Sequence, residues 1–329
     1  MTLSIALCTY NGECYLREQL QSILNQVRPP DELVVFDDAS TDHTVGLLHD
    51  FAAKQRSFPV RIHVNPRTVG PLMNFQQAIA ACRGTIISLC DQDDVWLPDK
   101  LARVEAAFED DPSLGFVFGN AEICDAECRP LGYRLWNSVG FTGRLVRRLE
   151  RGLAFDVVLR QNVVTGATMA FSARFRPLVL PIGSTWIHDA WIALLISAIA
   201  PVVAIREPVM LYRQHPKQHV GALRRSFRQQ YRMAKMMKRS QFQHEADRHE
   251  AAYERLVYAM NGLQDGGQTY AVSERALALL QEKICHCRRR SAIRQRECSR
   301  VLPSMTEFVT LRYRRFSLGW KSFAQDLFL

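Results

Sequence analysis

Three carboxylates follow an apolar segment within four residues of the sequence. Asp91, Asp93 and Asp94 come directly after TIISLC at 85–90, in the stretch LCDQDDVW. A short apolar run of this kind indicates a buried strand, whereas acidic clusters usually lie in solvated loops. Carboxylate oxygens are ligands that Mg²⁺ and Mn²⁺ prefer, commonly together with substrate phosphates. The cluster therefore predicts a divalent cation that holds a diphosphate at the end of a strand.

Polar side chains also follow two earlier apolar runs. Thr9, Tyr10 and Glu13 come after the first run, and Asp37 and Asp38 end the second. Ligands of open α/β sheets bind at the carboxyl ends of the parallel strands. Turn chemistry accounts for each group taken alone, but three groups at successive strand ends predict a ligand site. The first turn lacks the glycine patterns of dinucleotide and P-loop sites, which disfavours both.

The elements that must position these groups alternate along the first hundred residues. Apolar runs occur at 3–9, 32–38, 60–65 and 85–91. Helical patterns follow them, from about Tyr15 to Asn25, after a cap at Ser40 or Asp42, near Pro71 and near Pro98. Strands that are apolar throughout indicate a parallel sheet covered on both faces, and the alternation predicts a doubly wound α/β sheet. Residues 114–125 predict a further strand, and 202–213 predict two short strands around Pro208.

Charge divides the chain into two predicted parts. Residues 1–221 carry 21 Lys and Arg against 23 Asp and Glu, a net charge of −2, whereas 222–329 carry 21 against 10, a net charge of +11. The second part has a helical pattern throughout. We therefore predict a domain at 1–221 and a basic helical region at 222–329, which favours an anionic partner, either membrane or nucleic acid.

One basic segment has the pattern of a membrane-surface helix. Phe227, Tyr231, Ala234 and Met237 recur near helical spacing among arginines and lysines. The pattern is typical of an interfacial helix on anionic lipid, and equally of the solvated surface of a helical bundle. Basic runs at 288–296 and 311–316 are expected to add to the surface charge. No RNP-type or zinc-finger signature supports nucleic acid, so we predict no nucleic-acid partner.

The composition excludes several classes of protein. The chain has 329 residues, of which 47% are hydrophobic, and no apolar window reaches the length of a membrane span. The first residues lack the pattern of a signal peptide. Nine scattered cysteines indicate reduced, packed thiols, and CHC at 285–287 lacks the second half of a zinc site. We predict a cytoplasmic location, with peripheral association at the inner face of the membrane.

Several spaced motifs resemble the family 2 glycosyltransferases with the GT-A fold. They begin with SIALCTYNGECYLREQLQSIL, DELVVFDDASTDHT, GPLMNFQQAI and DQDDVWLPDKL, and continue through NVVTGATMAF, IHDAWIAL and EPVMLYRQHPKQHVG. The likeness covers about residues 2–221 and is nearest to bacterial rhamnosyltransferase-like enzymes. It implies a nucleotide-sugar-binding α/β fold with a mostly parallel sheet. It also implies metal-dependent, inverting transfer of a sugar to a glycan or lipid-linked acceptor in surface polysaccharide synthesis. The expected donor is dTDP-rhamnose first and a UDP-hexose second.

The resemblance also implies roles for single residues. Asp91 would face the ribose or the sugar, and Asp94 would support the site or act as a charge at a helix start. Trp96 is expected either to line the sugar pocket or to lie in the core. The remaining residues on the donor side fall into a nucleoside edge of Thr9, Tyr10, Glu13, Asp37 and Asp38 and a pocket segment of Arg67, Gly70 and Asn74.

Metal binding and acceptor activation are assigned to later motifs. Asp93 would coordinate Mn²⁺ or Mg²⁺, with His215 as a second ligand or a supporting group, and Arg213 would contact the diphosphate. His188-Asp189 matches the acidic dyad on the acceptor side, with His in place of the first acid. Asp189 would be the general base. Its alternative role is to cap the helix AWIALLI, and both roles are compatible.

Two other functions stay open from the sequence. A nucleotidyltransferase that makes nucleotide sugars also binds nucleotides on an α/β sheet, but it requires a Gly-rich basic loop near the first strand that CTYNGECY lacks. A non-catalytic sugar-binding or lipid-binding relative is the third class. The presence of Asp91, Asp93 and Asp189 argues against it.

Overall fold

The computed structural model of the chain is built around one sheet. It describes residues 1–216, 218, 221, 232, 236, 239–262, 268–295 and 300–328. The amphipathic pattern at Phe227, Tyr231, Ala234 and Met237 therefore lies outside the described residues. The sheet has nine strands in the order β3-β2-β1-β4-β8-β6-β9-β5, with β7 paired to β6.

The first four strands match the predicted apolar runs. They are β1 (Leu3–Thr9), β2 (Glu32–Asp37), β3 (Val60–Val64) and β4 (Ile86–Cys90). They pair in parallel, with Thr9 opposite Asp37 and Leu7 opposite Cys90. The strand ends therefore lie level at one edge of the sheet, where the polar side chains follow.

The other half of the sheet mixes directions. It consists of β5 (Val95–Trp96), β6 (Phe116–Cys124), β7 (Pro130–Arg134), β8 (Met169–Ser172) and β9 (Val202–Arg213). The β6–β9 pair is parallel, whereas β4–β8, β6–β8, β6–β7 and β5–β9 are antiparallel. The predicted α/β class is present. The four parallel strands β1–β4 are the ones whose carboxyl ends form the polar edge.

Strand β9 corrects the prediction of two short strands around Pro208. The strand runs unbroken through the proline, and its pairing with β6 shifts register between Gly119 and Glu122, with Pro208 opposite Asn120. A bulge accommodates a proline because it interrupts the regular ladder of hydrogen bonds. The end of β9 lies beside the residues that follow β4, since β9 pairs with β5 and the Arg213 N–H donates to Asp94 at 3.0 Å.

The helices before residue 200 cover the two faces of the sheet. The longer ones are α1 (Leu16–Leu24), α2 (Thr44–Lys54), α3 (Pro71–Ala81), α4 (Lys100–Asp110) and α9 (His188–Ser197). The shorter ones are α5 (Leu135–Ser138), α6 (Gly143–Glu150), α7 (Ala154–Arg160) and α8 (Arg176–Val179).

Two predicted helix starts are displaced by a few residues. Helix α2 begins at Thr44 with His43 at the cap position, although Asp42 still accepts the Thr44 N–H at 3.0 Å. Helix α4 begins at Lys100, because β5 and a turn occupy the residues around Pro98. Helix α3 begins at Pro71 as predicted, where the missing N–H costs no hydrogen bond.

The C-terminal region is helical, as predicted, wherever it is described. Its helices are α10 (Arg239–Met260), α11 (Glu274–Gln295), α12 (Val301–Val309), α13 (Arg312–Phe316) and α14 (Trp320–Phe328). Leu256 and Leu280 belong to the same hydrophobic cluster as Leu178 and Trp191 of the preceding region. The boundary at residue 221 stays a prediction. Within the described ranges, no helix combines the length and apolar character needed to cross a bilayer.

Part of the basic charge predicted for the surface lies inside this helical region. Arg290 donates to Asp326 at 2.5 and 2.9 Å, and Arg294 donates to the same carboxylate at 3.3 Å. Tyr313 donates to it at 2.8 Å. Asp326 is completely buried. The runs at 288–296 and 311–316 add to the surface charge through exposed residues such as Arg288 and Arg314. Arg290 and Arg294 do not, because their side chains are buried against Asp326.

A second buried carboxylate, Glu307, accounts for the histidine of the CHC motif. His286 donates from Nδ1 to Glu307 at 2.6 Å and accepts from Ser317 at Nε2, 2.9 Å away. Burial lowers the pKa of His286 to about 4, so the ring is neutral at pH 7. Burial alone would raise the pKa of Glu307, but hydrogen bonds from His286 and Arg289 lower it to about 2. His286 thus has a structural role.

Replacing Asp326 with alanine is expected to destabilise the C-terminal helices strongly. The change leaves Arg290 and Arg294 buried without their carboxylate, which typically costs about 3–5 kcal/mol. Chemical denaturation followed by circular dichroism measures the change. Glu254→Gln, at an exposed position of α10, is the matched control and should unfold like the wild type. Equal stability of the Asp326→Ala and control proteins would contradict the assignment.

Candidate active site at the strand ends

The level ends of β1 and β2 place Thr9 and Asp37 in contact. The Thr9 hydroxyl donates to Asp37 Oδ2 at 2.7 Å, and Ser40 donates to the same carboxylate from its backbone N–H and its hydroxyl. Asp37 is completely buried and Thr9 nearly so. These two predicted site residues therefore shape the loop, and they do not present free polar atoms to the edge.

Asp38 organises the neighbouring loop between β3 and α3. Its carboxylate accepts the N–H groups of Val69 at 2.7 Å and Gly70 at 2.8 Å, and the Asn65 side-chain amide at 3.1 Å. Gly70 has φ 87° and ψ 161°, a backbone conformation that is essentially restricted to glycine. The loop is thus held by a buried carboxylate and by a glycine at one defined position.

The other two residues of the predicted pocket segment differ in exposure. Asn74 is buried, accepts from Asn65 at 3.0 Å and donates to the Phe36 carbonyl at 2.8 Å. Arg67 is exposed on the loop, and its guanidinium has no hydrogen-bond or ion-pair partner within the part of the chain that the structure describes. Arg67 is therefore the cation of this loop that is available to an anionic ligand.

The β1–α1 loop is tied to the acidic segment by Gln92. The Tyr10 N–H donates to Gln92 Oε1 at 2.8 Å, and Gln92 Nε2 donates to the Tyr10 carbonyl at 2.9 Å. A Cβ at Gly12 would lie 2.2 Å from Gln92 Oε1, so only glycine fits there without a shift. The Tyr10 side chain is about half exposed, and Glu13 is exposed and accepts the His43 N–H at 2.9 Å.

Asp93 and His215 meet across the edge although they are 122 positions apart. His215 Nε2 lies 2.8 Å from Asp93 Oδ2. The His215 ring packs on Tyr15 with 4.5 Å between the ring centroids, and its buried Nδ1 has no partner among the described residues. The two groups predicted to share a metal are thus brought together by the packing of β9 against β5 and β6.

The ionisation of Asp91 is opposed by burial and by other carboxylates. Desolvation, with Asp93 and Asp189 as like charges, raises the pKa of Asp91 to about 7. Neighbouring carboxylates disfavour each other's ionisation in this way when no cation lies between them. Asp189, which is distant in sequence, accepts the Gly166 N–H at 3.0 Å, from a turn that contacts strand β4.

Asp94 and Arg213 form the buried support behind these groups. Asp94 Oδ1 accepts the Arg213 N–H at 3.0 Å, and Arg213 Nε donates to the Asp93 carbonyl at 2.7 Å. The guanidinium also donates to the Glu18 carboxylate and the Ala126 carbonyl, and it is 1% exposed. Arg213 therefore fixes the acidic segment from behind, and the predicted contact with a diphosphate would require it to rearrange.

Lys100 is a buried cation that the sequence reasoning missed. Its Nζ donates to the Ala167 carbonyl at 2.6 Å and lies 3.4 Å from the centre of the Trp96 ring, which is itself in the core. Burial lowers the pKa of Lys100 to about 7, against the attraction of Asp94 and Asp91. Burial and the like charges of Asp93 and Asp91 raise the pKa of Asp94 well above its usual range.

Asp189 is held at the start of α9 by a neighbouring turn. Its Oδ2 accepts the Gly166 N–H at 3.0 Å, and its Oδ1 accepts from Asn162 at 3.3 Å. His188 stacks on Phe75 with 3.9 Å between the ring centroids, and burial lowers its pKa. Asp189 is the second residue of α9 and not its cap.

Substituting Gln92 tests whether its side chain holds the β1–α1 loop. Gln92→Ala removes two hydrogen bonds, each worth about 1 kcal/mol, so the Tyr10 amide should exchange with deuterium faster. Exchange mass spectrometry on the wild type and the variant measures this. Gln21→Ala on the exposed face of α1 is the matched control and should leave Tyr10 protected. Unchanged exchange at Tyr10 in Gln92→Ala would contradict the arrangement.

Comparisons with known proteins agree with this fold. Residues 4–158 match the family described as Glycosyl transferase family 2. An uncharacterised protein of Mycobacterium tuberculosis (strain H37Rv) is 27% identical over 224 residues, which are 65% of this chain and 59% of the relative. The dTDP-rhamnosyl transferase RfbG of Shigella flexneri is 36% identical over 101 residues, which are 29% of this chain and 34% of that protein. The chain thus spans about three fifths of the length of the first relative.

A solved structure shares the architecture over nearly the whole chain. The crystal structure of S. aureus TarS 1–349 in complex with UDP-GlcNAc superposes with a TM-score of 0.52 and 16% identity, covering 99% of this chain and 82% of that chain. Identity this low shows the fold alone, and it confirms the predicted fold class. Together with the sequence match, it makes the chain similar to glycosyl transferase family 2 in sequence over residues 4–158 and similar to TarS in fold over nearly its whole length.

Proposed function

We propose that the chain is an inverting, metal-dependent glycosyltransferase that moves a sugar from a nucleoside diphosphate to a hydroxyl of a glycan or lipid-linked acceptor. The observation that carries the proposal is the convergence of Asp91, Asp93, His215 and Asp189 on one edge of the sheet. The match of residues 4–158 to glycosyl transferase family 2 supports sugar transfer. The similarity to RfbG, a dTDP-rhamnosyl transferase, supports dTDP-rhamnose as the first donor to test, with UDP-hexoses second.

The donor set fits a divalent cation that is shared with a substrate. Asp93 Oδ2 and His215 Nε2 are 2.8 Å apart, so one oxygen and one imidazole nitrogen converge on the same point. Within the described ranges, no group of three or more His, Cys, Asp or Glu residues could hold a metal alone. A cation held by few protein ligands and by substrate phosphates matches the usual behaviour of Mg²⁺ and Mn²⁺. When bound, it would neutralise charge on the departing diphosphate.

The remaining donor contacts follow from exposure. Tyr10 and Glu13 lie at the open rim and are proposed to face the nucleoside, and Arg67 is proposed to face the diphosphate. Asp91 is proposed to accept from the ribose or the sugar. The buried residues Thr9, Asp37, Asp38, Asn74 and Arg213, and the partly exposed Gly70, would act by holding the loops that make these contacts.

Asp189 is proposed as the base that activates the acceptor. Its carboxylate is oriented by the N–H of Gly166 and the side-chain amide of Asn162. It takes the acceptor hydroxyl proton while the acceptor oxygen bonds to the anomeric carbon. The bond from that carbon to the diphosphate oxygen breaks in the same displacement, so the configuration inverts. His188, stacked on Phe75, supports the start of the helix that carries Asp189.

The rest of the proposal concerns location. Residues 1–221 are proposed as the catalytic domain and 222–329 as a basic helical region. The net charge of +11 in the second part favours an anionic membrane surface, where a lipid-linked acceptor would be presented. We therefore propose a cytoplasmic protein that associates with the inner face of the membrane and acts in surface polysaccharide synthesis.

Asp189→Asn and Asp93→Asn are expected to abolish transfer for different reasons. Release of nucleoside diphosphate from dTDP- and UDP-sugars, with Mn²⁺ or Mg²⁺ and a bacterial lipid extract as acceptor, measures the reaction. Loss of the base should lower the rate by about 10²–10⁴-fold without weakening nucleotide binding. Loss of Asp93 should weaken metal-dependent nucleotide binding as well.

Asp110→Asn, at an exposed end of α4, is the matched control and should react like the wild type. A wild-type rate in Asp189→Asn would remove the general base from the proposal. Synthesis of a nucleotide sugar from a nucleoside triphosphate and a sugar phosphate would instead indicate a nucleotidyltransferase. Nucleotide binding without any turnover of the panel would indicate a non-catalytic relative.

A further inference from the structure

Helix α12 has its polar face inside and its apolar face outside. Ser304 and Glu307 are buried, whereas Leu302 is 75% exposed and Val309 is 72% exposed. Met305 lies on the exposed side as well. A surface helix of a globular protein normally shows the opposite arrangement, with its apolar stripe facing the core. This helix therefore presents a hydrophobic face for which its own fold supplies no partner in the described structure.

The reversed arrangement follows from what occupies the interior of this region. Glu307 points inward to His286, Arg289 and Arg312, at 2.6, 2.7 and 3.1 Å. The neighbouring Asp326 points inward to Arg290. Buried charges need these partners, so the helix is rotated to satisfy them. Its apolar side chains are left on the outside as a consequence.

The exposed face continues onto the helices that follow. Phe308 contacts Trp320 edge to face, with 5.7 Å between the ring centroids, which joins α12 to α14. Trp320 is 64% exposed, and Leu311 and Leu318 are more than half exposed. We call this surface the outer apolar face, and its members are Leu302, Met305, Val309, Leu311, Leu318 and Trp320.

The clustering distinguishes this face from ordinary exposed hydrophobic residues. Nine of the twenty large hydrophobic residues that are exposed in the described chain lie within 301–328. Single exposed hydrophobic residues need no explanation, but a continuous patch indicates an interaction surface. Tryptophan in such a patch is typical of the boundary between water and lipid.

Basic side chains on the same helices decide between the candidate partners. Arg314 and Lys321 are exposed on α13 and α14, and Arg315 is exposed but pairs with Glu282 at 3.0 Å. In a two-fold dimer the same patch would meet itself, which would bring these like charges together. Anionic lipid headgroups would instead complement them. The charge therefore favours a membrane surface over a second copy of the chain.

We infer that the outer apolar face inserts into the interfacial layer of an anionic membrane, with the flanking Arg314 and Lys321 in contact with the headgroups. The inference rests on the membrane association proposed above, for which it names the surface. It does not depend on the sugar-transfer chemistry. It also differs from the amphipathic pattern of residues 227–237, because its members are displayed by described helices.

Sedimentation of the full chain with vesicles tests the inference. The vesicles are phosphatidylcholine alone, or phosphatidylcholine mixed with phosphatidylglycerol. The test variant is Leu302→Ser, Val309→Ser and Trp320→Ser combined. We expect the wild type to bind the anionic vesicles only. Binding should be at least about tenfold weaker in the variant, because it lacks three apolar side chains that the membrane would bury.

A matched triple variant controls for exposed hydrophobic residues elsewhere. Val27→Ser, Leu131→Ser and Tyr258→Ser change exposed side chains outside the outer apolar face and should sediment like the wild type. Circular dichroism of each variant confirms that it is folded. Nucleoside diphosphate release, measured without vesicles, separates this test from the proposed reaction, since the test variant should keep the wild-type rate.

Three outcomes would overturn the inference. Wild-type protein that does not bind anionic vesicles would remove the membrane. Equal binding of the test variant and the wild type would assign binding to charge alone or to another segment. Self-association that the test variant abolishes, seen by analytical ultracentrifugation, would assign the face to a second copy of the chain.

Discussion

Mutual repulsion among carboxylates is the constraint on which this structure depends. Asp91, Asp93, Asp94 and Asp189 lie near one another at the strand ends, and burial with like charges raises the pKa of Asp91 and of Asp94. Buried charges of one sign persist only with partners. Lys100 supplies a cation behind the cluster. On the open side, among the described residues, Asp93 contacts His215, and the proposed divalent cation with its diphosphate would neutralise charge there.

The scaffold meets this constraint by fixing the loops before any ligand arrives. Level pairing of β1 with β2 puts Thr9 on Asp37, and Asp38 closes the next loop on the N–H groups of Val69 and Gly70. Gln92 ties the first loop to the acidic segment. Such preorganised groups require little rearrangement when charge develops in a reaction.

Local pattern was enough to predict the first half of the fold. Apolar runs gave four strands to within about two residues, because strands covered on both faces are apolar throughout. It did not predict that β9 continues through Pro208, since the bulge opposite Asn120 depends on the partner strand. Nor did it predict the antiparallel strand β8, a four-residue element whose direction only its neighbours determine.

The same limit applies to charged residues. Asp93 and His215 were predicted to act together only through resemblance to a family, because 122 positions separate them. Lys100 was missed because a lysine after a turn normally indicates a solvated helix start. The sequence predicts a surface charge at Arg290, because its buried partner Asp326 is 36 positions away and gives no local signal. Long-range pairing of charges is set by packing and leaves no local signal.

The most direct test of the account is metal-dependent binding of a nucleoside diphosphate, measured as an increase in stability by thermal denaturation. We predict that dTDP or UDP stabilises the wild type in Mn²⁺, by about 2.7 kcal/mol at 100 times Kd, and only weakly in EDTA. Asp93→Asn should lose the metal-dependent part, and Asp110→Asn should keep it. Equal stabilisation by the nucleotide with and without metal would contradict the proposal that these carboxylates bind a cation. Equal metal-dependent stabilisation of Asp93→Asn and the wild type would contradict it as well.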